Sequence, residues 1–327
     1  MDQIDLACHP ELIRGAVRVV PRGQAWYLAR MTAALEKHYS DPPFLLIRAV
    51  CMAGVHLALQ TDASEIRIGL QYARSCRPFS QSDVFIDGQP ADPIAPPPDA
   101  TDYHATALLP GGALHTVEIY LPHCREVFIS QLAITKGAVI STIPRPHTRW
   151  LALGDSITQG MSATSPTLTW TTRVARRLGW DLHNLGVGGA VAQAALGRLA
   201  LDLPWDVATV AFGVNDFNND RPLNEVQTET RKLLEGLLQR PQAAIYLLTP
   251  VPWVGRTEPN KLNLHLEDYR QALRQAAAGL PQVTVIEGTE LLEDREDLFY
   301  DKVHPNNAGM AQIAENITAH LLRANKS

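Results

Sequence analysis

The sequence predicts a two-part chain: a three-layer α/β/α domain on a parallel sheet, preceded by an antiparallel β-sandwich or jelly-roll domain. The chain has 327 residues, more than one hydrophobic core usually serves. From about residue 44 to 140 its apolar residues recur at every second position, and beyond about residue 150 short apolar runs alternate with helix-period segments. Between them "STIPRPHTRW" (141–150) holds two prolines and few apolar residues, as a linker does. The expected domains are therefore 1–145 and 146–327.

The first forty residues carry the weakest signal. "AWYLARMTAALEKHY" (25–39) reads as a short helix or as a packing edge. From about 44 the period is two: "EIRIGLQY" alternates Ile66, Ile68, Leu70 and Tyr72, and "HTVEIYL" alternates Val117, Ile119 and Leu121. "EVFISQLAI" adds Val127, Ile129 and Leu132. Turn clusters such as "DGQPADPIAPPPDATD" and "LPGGAL" separate these runs, the pattern of an all-β domain.

After the linker the alternation is regular. "WLALGDS", "DLHNLGV", "VATVAFG", "AAIYLLTPV" and "VTVIEG" read as strands. "TWTTRVARRLGW", "AVAQAALGRLALDL", "LNEVQTETRKLLEGLLQ", "HLEDYRQALRQAAAGL" and "NNAGMAQIAENITAHLLRA" read as helices. Strand–helix alternation implies parallel strands with right-handed crossovers and helices on both faces. Ligands in such sheets sit at the carboxyl ends of the strands, which puts the loops at 154–160, 186–190, 213–217 and 250–263 on one rim.

Composition narrows the function. Hydrophobic residues at 46% and charged residues at 19% fit an ordinary globular protein, and a net charge of −5 offers no field for nucleic acid or anionic lipid. "FLLIRAVCMAGVHLAL" (44–59) carries Arg48 and His56 and is too short to span a bilayer. The N-terminus lacks a basic region followed by an apolar one, so no signal peptide and a cytoplasmic protein are expected. The four cysteines (Cys8, Cys51, Cys76, Cys124) have no CxxC spacing and read as reduced, buried thiols. No His/Asp/Glu cluster has ligand spacing, so neither metal nor cofactor is expected.

The rim loops carry the chemistry. Ser156 follows a strand in "LALGDSITQG", with Gly154 permitting a tight turn; the same serine would also serve as a helix N-cap. "NLGVGGA" (184–190) is glycine-dense, but its third glycine is misplaced for a dinucleotide loop and the next strand ends without an acid. A glycine whose N–H faces a reaction centre accounts for it better. "FGVNDF" puts Asn215 directly after a strand, where its amide can donate to a developing oxyanion or close an Asx-turn. "YDKVHPNNAG" sets Asp301 and His304 one turn apart, an orienter and a base that need only a hydroxyl opposite them. His115, His123 and His147 read as solvent-facing or packing residues, His183 and His265 as isolated ones.

At these four loops the chain resembles the SGNH (GDSL) hydrolase superfamily. Gly154-Asp155-Ser156, Gly189, Gly213-Val214-Asn215-Asp216 and Asp301-Lys302-Val303-His304-Pro305 match its blocks in order, over about residues 150–325. The resemblance implies a flavodoxin-like hydrolase domain with Ser156 as nucleophile and His304 as base, oriented by Asp301. Its oxyanion hole would be the N–H groups of Ser156 and Gly189 with the Asn215 amide, and Asp155 would hold the turn. The motif is not the G-x-S-x-G elbow of α/β-hydrolases.

A β-sandwich ahead of such a domain looks like the arrangement of two-domain bacterial carbohydrate esterases. The expected function is removal of short acyl groups, acetyl above all, from a small-molecule or oligosaccharide ester. A thioesterase or lysophospholipase is the runner-up, and a non-catalytic glycan-binding protein belongs to a different class. Trp253 and Arg256 in "TPVPWVGRTEPNKLN" are candidates for substrate contact, the tryptophan by stacking on a sugar or else simply by packing on its domain.

Overall fold

The structure, a computed structural model, describes residues 1–324. Its backbone separates into two units, one of Met1–Pro146 with Thr164–Thr167, the other of His147–Ala163 with Leu168 onward.

The first unit has two antiparallel sheets. One runs Arg18–Arg22, Ala25–Ala29, Arg125–Ile134, Glu65–Ser75, Asp102–Leu108, with Asp2–Gln3 beside the third. The other runs Ile140–Thr142, His56–Thr61, His115–Tyr120, Asp83–Ile86, Gln89–Pro90, with Ile13–Arg14 on the second. The alternating residues of both sheets meet in one cluster: Ile66, Ile68, Leu70 and Tyr72 with Val117, Ile119, Val127, Ile129 and Leu132. A period of two drives one face of each strand out of water.

Three expectations need correction here. Residues 25–39 are neither one helix nor a bare edge: a strand ends at Ala29, and Thr32 caps a helix over Ala33–His38 by accepting the Leu35 N–H at 3.2 Å. The apolar run from 44 does not begin as a strand but as a helix, Pro43–Ala49. Pro43 presets its first turn, and the Arg48 guanidinium stacks 4.7 Å from the Phe44 ring one turn back. The segment 141–150 is a strand at both ends, Ile140–Thr142 and Arg149–Gly154. Its middle is fastened to the first unit, because Arg145 donates to the Ile13 carbonyl at 2.8 Å and Arg14 donates to that of Ile143.

Thr164–Thr167 belongs to the first unit because Asp83 collects it. One carboxylate oxygen of this buried residue accepts from Ser165 Oγ (2.8 Å), Thr167 N (3.0 Å) and Thr167 Oγ1 (2.6 Å).

The second unit is a parallel sheet of β1 (Arg149–Gly154), β2 (Asp181–Gly186), β3 (Val207–Ala211), β4 (Ala244–Leu248) and β5 (Val283–Ile286), in the order β2-β1-β3-β4-β5. Between and after them lie α1 (Ser156–Gln159), α2 (Trp170–Leu178), α3 (Ala194–Leu199), α4 (Val214–Asn218), α5 (Leu223–Leu237), α6 (Leu266–Ala277), α7 (Gly288–Leu291) and α8 (Asn307–Ala324). Trp150 and Ala152 of β1 join one cluster with Trp170 and Val174 of α2 and Met310, Ile313 and Ile317 of α8. Leu151 and Leu153, which alternate with them, are also fully buried, so both faces of the sheet are covered. The strand order reverses at β1/β3, where the loops after the two strands diverge and leave a crevice. Among the described residues no helix is long and apolar enough to cross a membrane.

Candidate active site

β1 delivers Ser156 to the crevice. Gly154 is required there, since a Cβ on it would stand 2.1 Å from Thr158 Oγ1 and 2.7 Å from the Ala211 carbonyl. Asp155 caps α1 by accepting the Ile157 N–H at 2.9 Å, and Gly160, at φ 84°, ends the helix after a single turn. Asp155 is only 3% exposed and borders a small cavity of about 40 Å³ walled by Trp170, Val214, Leu248 and Pro250. Burial, reinforced by the nearby charge of Asp216, pushes its carboxyl up to about 7.

His304 reaches the serine from a closed turn. Phe299 and Pro305 form a bridge, Tyr300 N donates to the His304 carbonyl at 2.8 Å, and Lys302 at the apex has φ 68°. Asp301 accepts both the His304 N–H at 2.9 Å and its ring, Nδ1 lying 2.8 and 2.9 Å from the two carboxylate oxygens. A carboxylate can only accept, so Nδ1 carries the hydrogen and Nε2 is left as an acceptor. Ser156 Oγ lies 2.9 Å from that Nε2 and donates to it. Burial raises the Asp301 carboxyl, but the His304 amide and ring outweigh it and the net shift is downward. The serine is buried while the imidazole is 18% exposed.

The other two loops close around α1. Asn184 donates to the Thr158 carbonyl at 2.8 Å and Gly188 N–H to Gln159 Oε1 at 3.0 Å, pinning the glycine loop to the helix. Gly186 has no room for a side chain, because a Cβ would be 2.3 Å from the Gln159 nitrogen. Gly189 follows at φ 83°. Asn215, in α4, uses one amide hydrogen on the Ala190 carbonyl at 2.9 Å, which ties its loop to the glycine loop and leaves the second hydrogen. Its neighbour Asp216 is fully buried against Arg221 at 2.5 Å, yet burial still raises its carboxyl. Gln159 and Asn184 carry no local signal in the sequence, since the strand around Asn184 also holds Asp181 and His183 and Gln159 lies in a one-turn helix.

Trp253 and Arg256 lie on the loop after β4. The Trp253 ring meets Phe217 of α4 edge-on at 5.8 Å, and the Arg256 guanidinium lies 5.5 Å from the Phe217 ring and 5.6 Å from that of Trp253. Val254 N–H donates to the Lys302 carbonyl at 2.9 Å, joining this loop to the histidine turn. His115, expected to lack a carboxylate partner, has one: Asp87 lies 2.6 Å from its Nδ1. Its Nε2 is already engaged by the Pro110 carbonyl at 2.9 Å, so this pair fastens a turn and presents no free base. His265, expected to be isolated, caps α6.

The sequence over residues 152–312 matches the GDSL-like lipase/acylhydrolase family. This half of the chain is a GDSL-like acylhydrolase domain. The match supports an SGNH-type ester hydrolase. No curated protein matches the sequence. Among solved structures the chain is similar to the salicylyl-acyltransferase SsfX3 from a tetracycline biosynthetic pathway, with 24% identity over 96% of this chain and 94% of that one and a TM-score of 0.85. It is also similar to a family two carbohydrate esterase from Clostridium thermocellum, at 16% identity over 84% and 94% of the two chains and a TM-score of 0.65. An acetyl xylan esterase from Butyrivibrio proteoclasticus shares 15% identity over 85% and 91%, with a TM-score of 0.63. At these identities the likeness is one of fold, and it extends over the antiparallel unit as well as the parallel one.

Proposed function

We propose that the protein removes short acyl groups, acetyl above all, from a carbohydrate or other small ester through an acyl-enzyme on Ser156. The hydrogen-bonded series Asp301–His304–Ser156, with the hydroxyl 2.9 Å from Nε2, carries this reading. Ser156 Oγ attacks the acyl carbonyl as its proton passes to Nε2, and Asp301 steadies the imidazolium. The Ser156 N–H, at the first position of α1 where no intrahelical acceptor exists, donates to the oxyanion together with Gly189 N–H and the second amide hydrogen of Asn215. His304 then returns the proton to the leaving alcohol, and water repeats the sequence to release the acid. Trp253 and Arg256, an aromatic face and a cation between α4 and the histidine turn, contact the alcohol moiety. In domain terms, 1–145 is a jelly-roll-like β-sandwich and 146–327 a three-layer, flavodoxin-like hydrolase domain.

The named carbohydrate and acetyl xylan esterases of like fold support the acetyl–sugar assignment. The acyltransferase of like fold supports a second outcome for the same intermediate, transfer to an alcohol in place of water. The test is hydrolysis of p-nitrophenyl acetate against the palmitate, then acetate release from acetylated oligosaccharides, with and without a competing acceptor alcohol. Equal turnover by Ser156→Ala removes the enzyme assignment, and a preference for palmitate removes the acetyl one. Product appearing only with the acceptor alcohol makes the protein a transferase.

A further inference from the structure

Three of the four cysteines, far apart in the sequence and expected to be separate buried thiols, converge at one place in the antiparallel unit. Cys51 follows the helix Pro43–Ala49, Cys76 follows the strand Glu65–Ser75, and Cys124 precedes the strand Arg125–Ile134. The Cys51 and Cys76 sulfurs are 3.8 Å apart, in van der Waals contact. Cys76 is anchored by its amide, which donates to the Cys124 carbonyl at 3.0 Å, and its thiol lies 3.5 Å from that oxygen. Cys51 is anchored from the other side: its sulfur lies 3.1 Å from the Ile47 carbonyl, and its own carbonyl accepts from the fully buried Arg30 at 2.7 Å.

The members of the cluster differ in exposure. Cys51 and Cys124 are fully buried, whereas Cys76 is partly open to solvent. Their acidities differ in the same sense. The Cys124 and Cys51 thiols turned to the Cys76 sulfur, with help from the charges of His123 and Arg48, lower its pKa far below that of a free thiol. Burial raises the other two. A partly exposed cysteine whose sulfur touches that of a buried one is the arrangement of an attacking and a resolving cysteine.

We infer that Cys51 and Cys76 are a peroxide-reactive pair that closes to a disulfide. The Cys76 thiolate attacks the near oxygen of a hydroperoxide; the S–O bond forms, the O–O bond breaks, and the leaving oxygen takes a proton to become water or an alcohol. The Cys51 sulfur then attacks the Cys76 sulfur; the S–S bond forms, the S–O bond breaks, and hydroxide leaves with the Cys51 proton as water. Two thiols lose two electrons and one peroxide gains them. Closing the contact from 3.8 Å to a disulfide bond length of about 2.05 Å requires Cys51 to give up its contact with the Ile47 carbonyl. This inference is independent of the ester chemistry.

The test treats the full chain with graded hydrogen peroxide, caps remaining thiols with N-ethylmaleimide and maps the peptides. The expected result is loss of two of the four thiols, a Cys51–Cys76 linked peptide, and recovery of all four with dithiothreitol. Cys51→Ala should leave Cys76 as a dimedone-reactive sulfenic acid. If that variant does not fold, the wild-type map decides alone. Modification of the exposed Cys8 while Cys51 and Cys76 stay reduced overturns the proposal, as does a linkage between Cys76 and Cys124.

Discussion

Replacing Asp155 by asparagine removes one buried carboxyl and keeps the cap, because the new amide oxygen can still accept the Ile157 N–H now held at 2.9 Å. In the fold this carboxyl titrates at about 7, against 3.8 for the ordinary group. The folded chain therefore holds more protons than the unfolded one between those values, and its stability falls as pH rises through that window. Each pH unit costs about 1.4 kcal/mol, roughly 4 kcal/mol over the whole window. Between pH 5 and pH 8 the Asp155→Asn variant should gain about 2.7 kcal/mol on the wild type, as the last two units of the window are crossed. Urea titrations of both proteins at the two pH values read that gap directly. A gap that does not change with pH, or a variant less stable at pH 8, would refute the burial argument.

Other substitutions probe the same rim. Ser156→Ala and His304→Ala should each lower kcat by at least about 10³-fold, and Asp301→Asn by less if the imidazole keeps its orientation. Asn215→Ala should cost about 10²–10³-fold in kcat and only the roughly 1 kcal/mol of stability that its bond to the Ala190 carbonyl supplies, so unfolding with normal residual activity would disprove its donor role. Gly154→Ala should destabilise by about 1–3 kcal/mol, since a Cβ there meets Thr158 and the Ala211 carbonyl, and calorimetry would detect it. Arg221→Gln leaves Asp216 buried without its cation and should cost about 3–5 kcal/mol in urea unfolding; a loss under about 1 kcal/mol would show that water reaches the carboxylate.

The parallel sheet was legible because its strands alternate with helix-period segments, and in the first of them Leu151, Leu153, Trp150 and Ala152 leave no polar face to confuse the signal. The rim loops were legible because Gly154 ends a strand, Ser156 and Asn215 sit in the first turns of helices that follow strands, and His304 precedes the last helix. What escaped was tertiary. No local pattern tells that Gln159 reaches across to Gly188, or that Asn184 turns inward to hold the Thr158 carbonyl. The helix Pro43–Ala49 hid in an apolar run because its exposed Phe44 is sheltered by Arg48, a pairing that periodicity does not read. Cys51, Cys76 and Cys124 meet only because three element ends converge, and spacing in the sequence holds no trace of that.

The hold of Asp83 on Ser165 and Thr167 bears on how this protein can be dissected. Four residues of the catalytic half are spliced into the packing of the other half, so a cut at 146/147 does not yield two self-sufficient pieces. A fragment starting at His147 would carry an orphaned stretch between α1 and α2, and the complementary fragment would leave Asp83 with the Gln81 amide but without its three donors from Ser165 and Thr167.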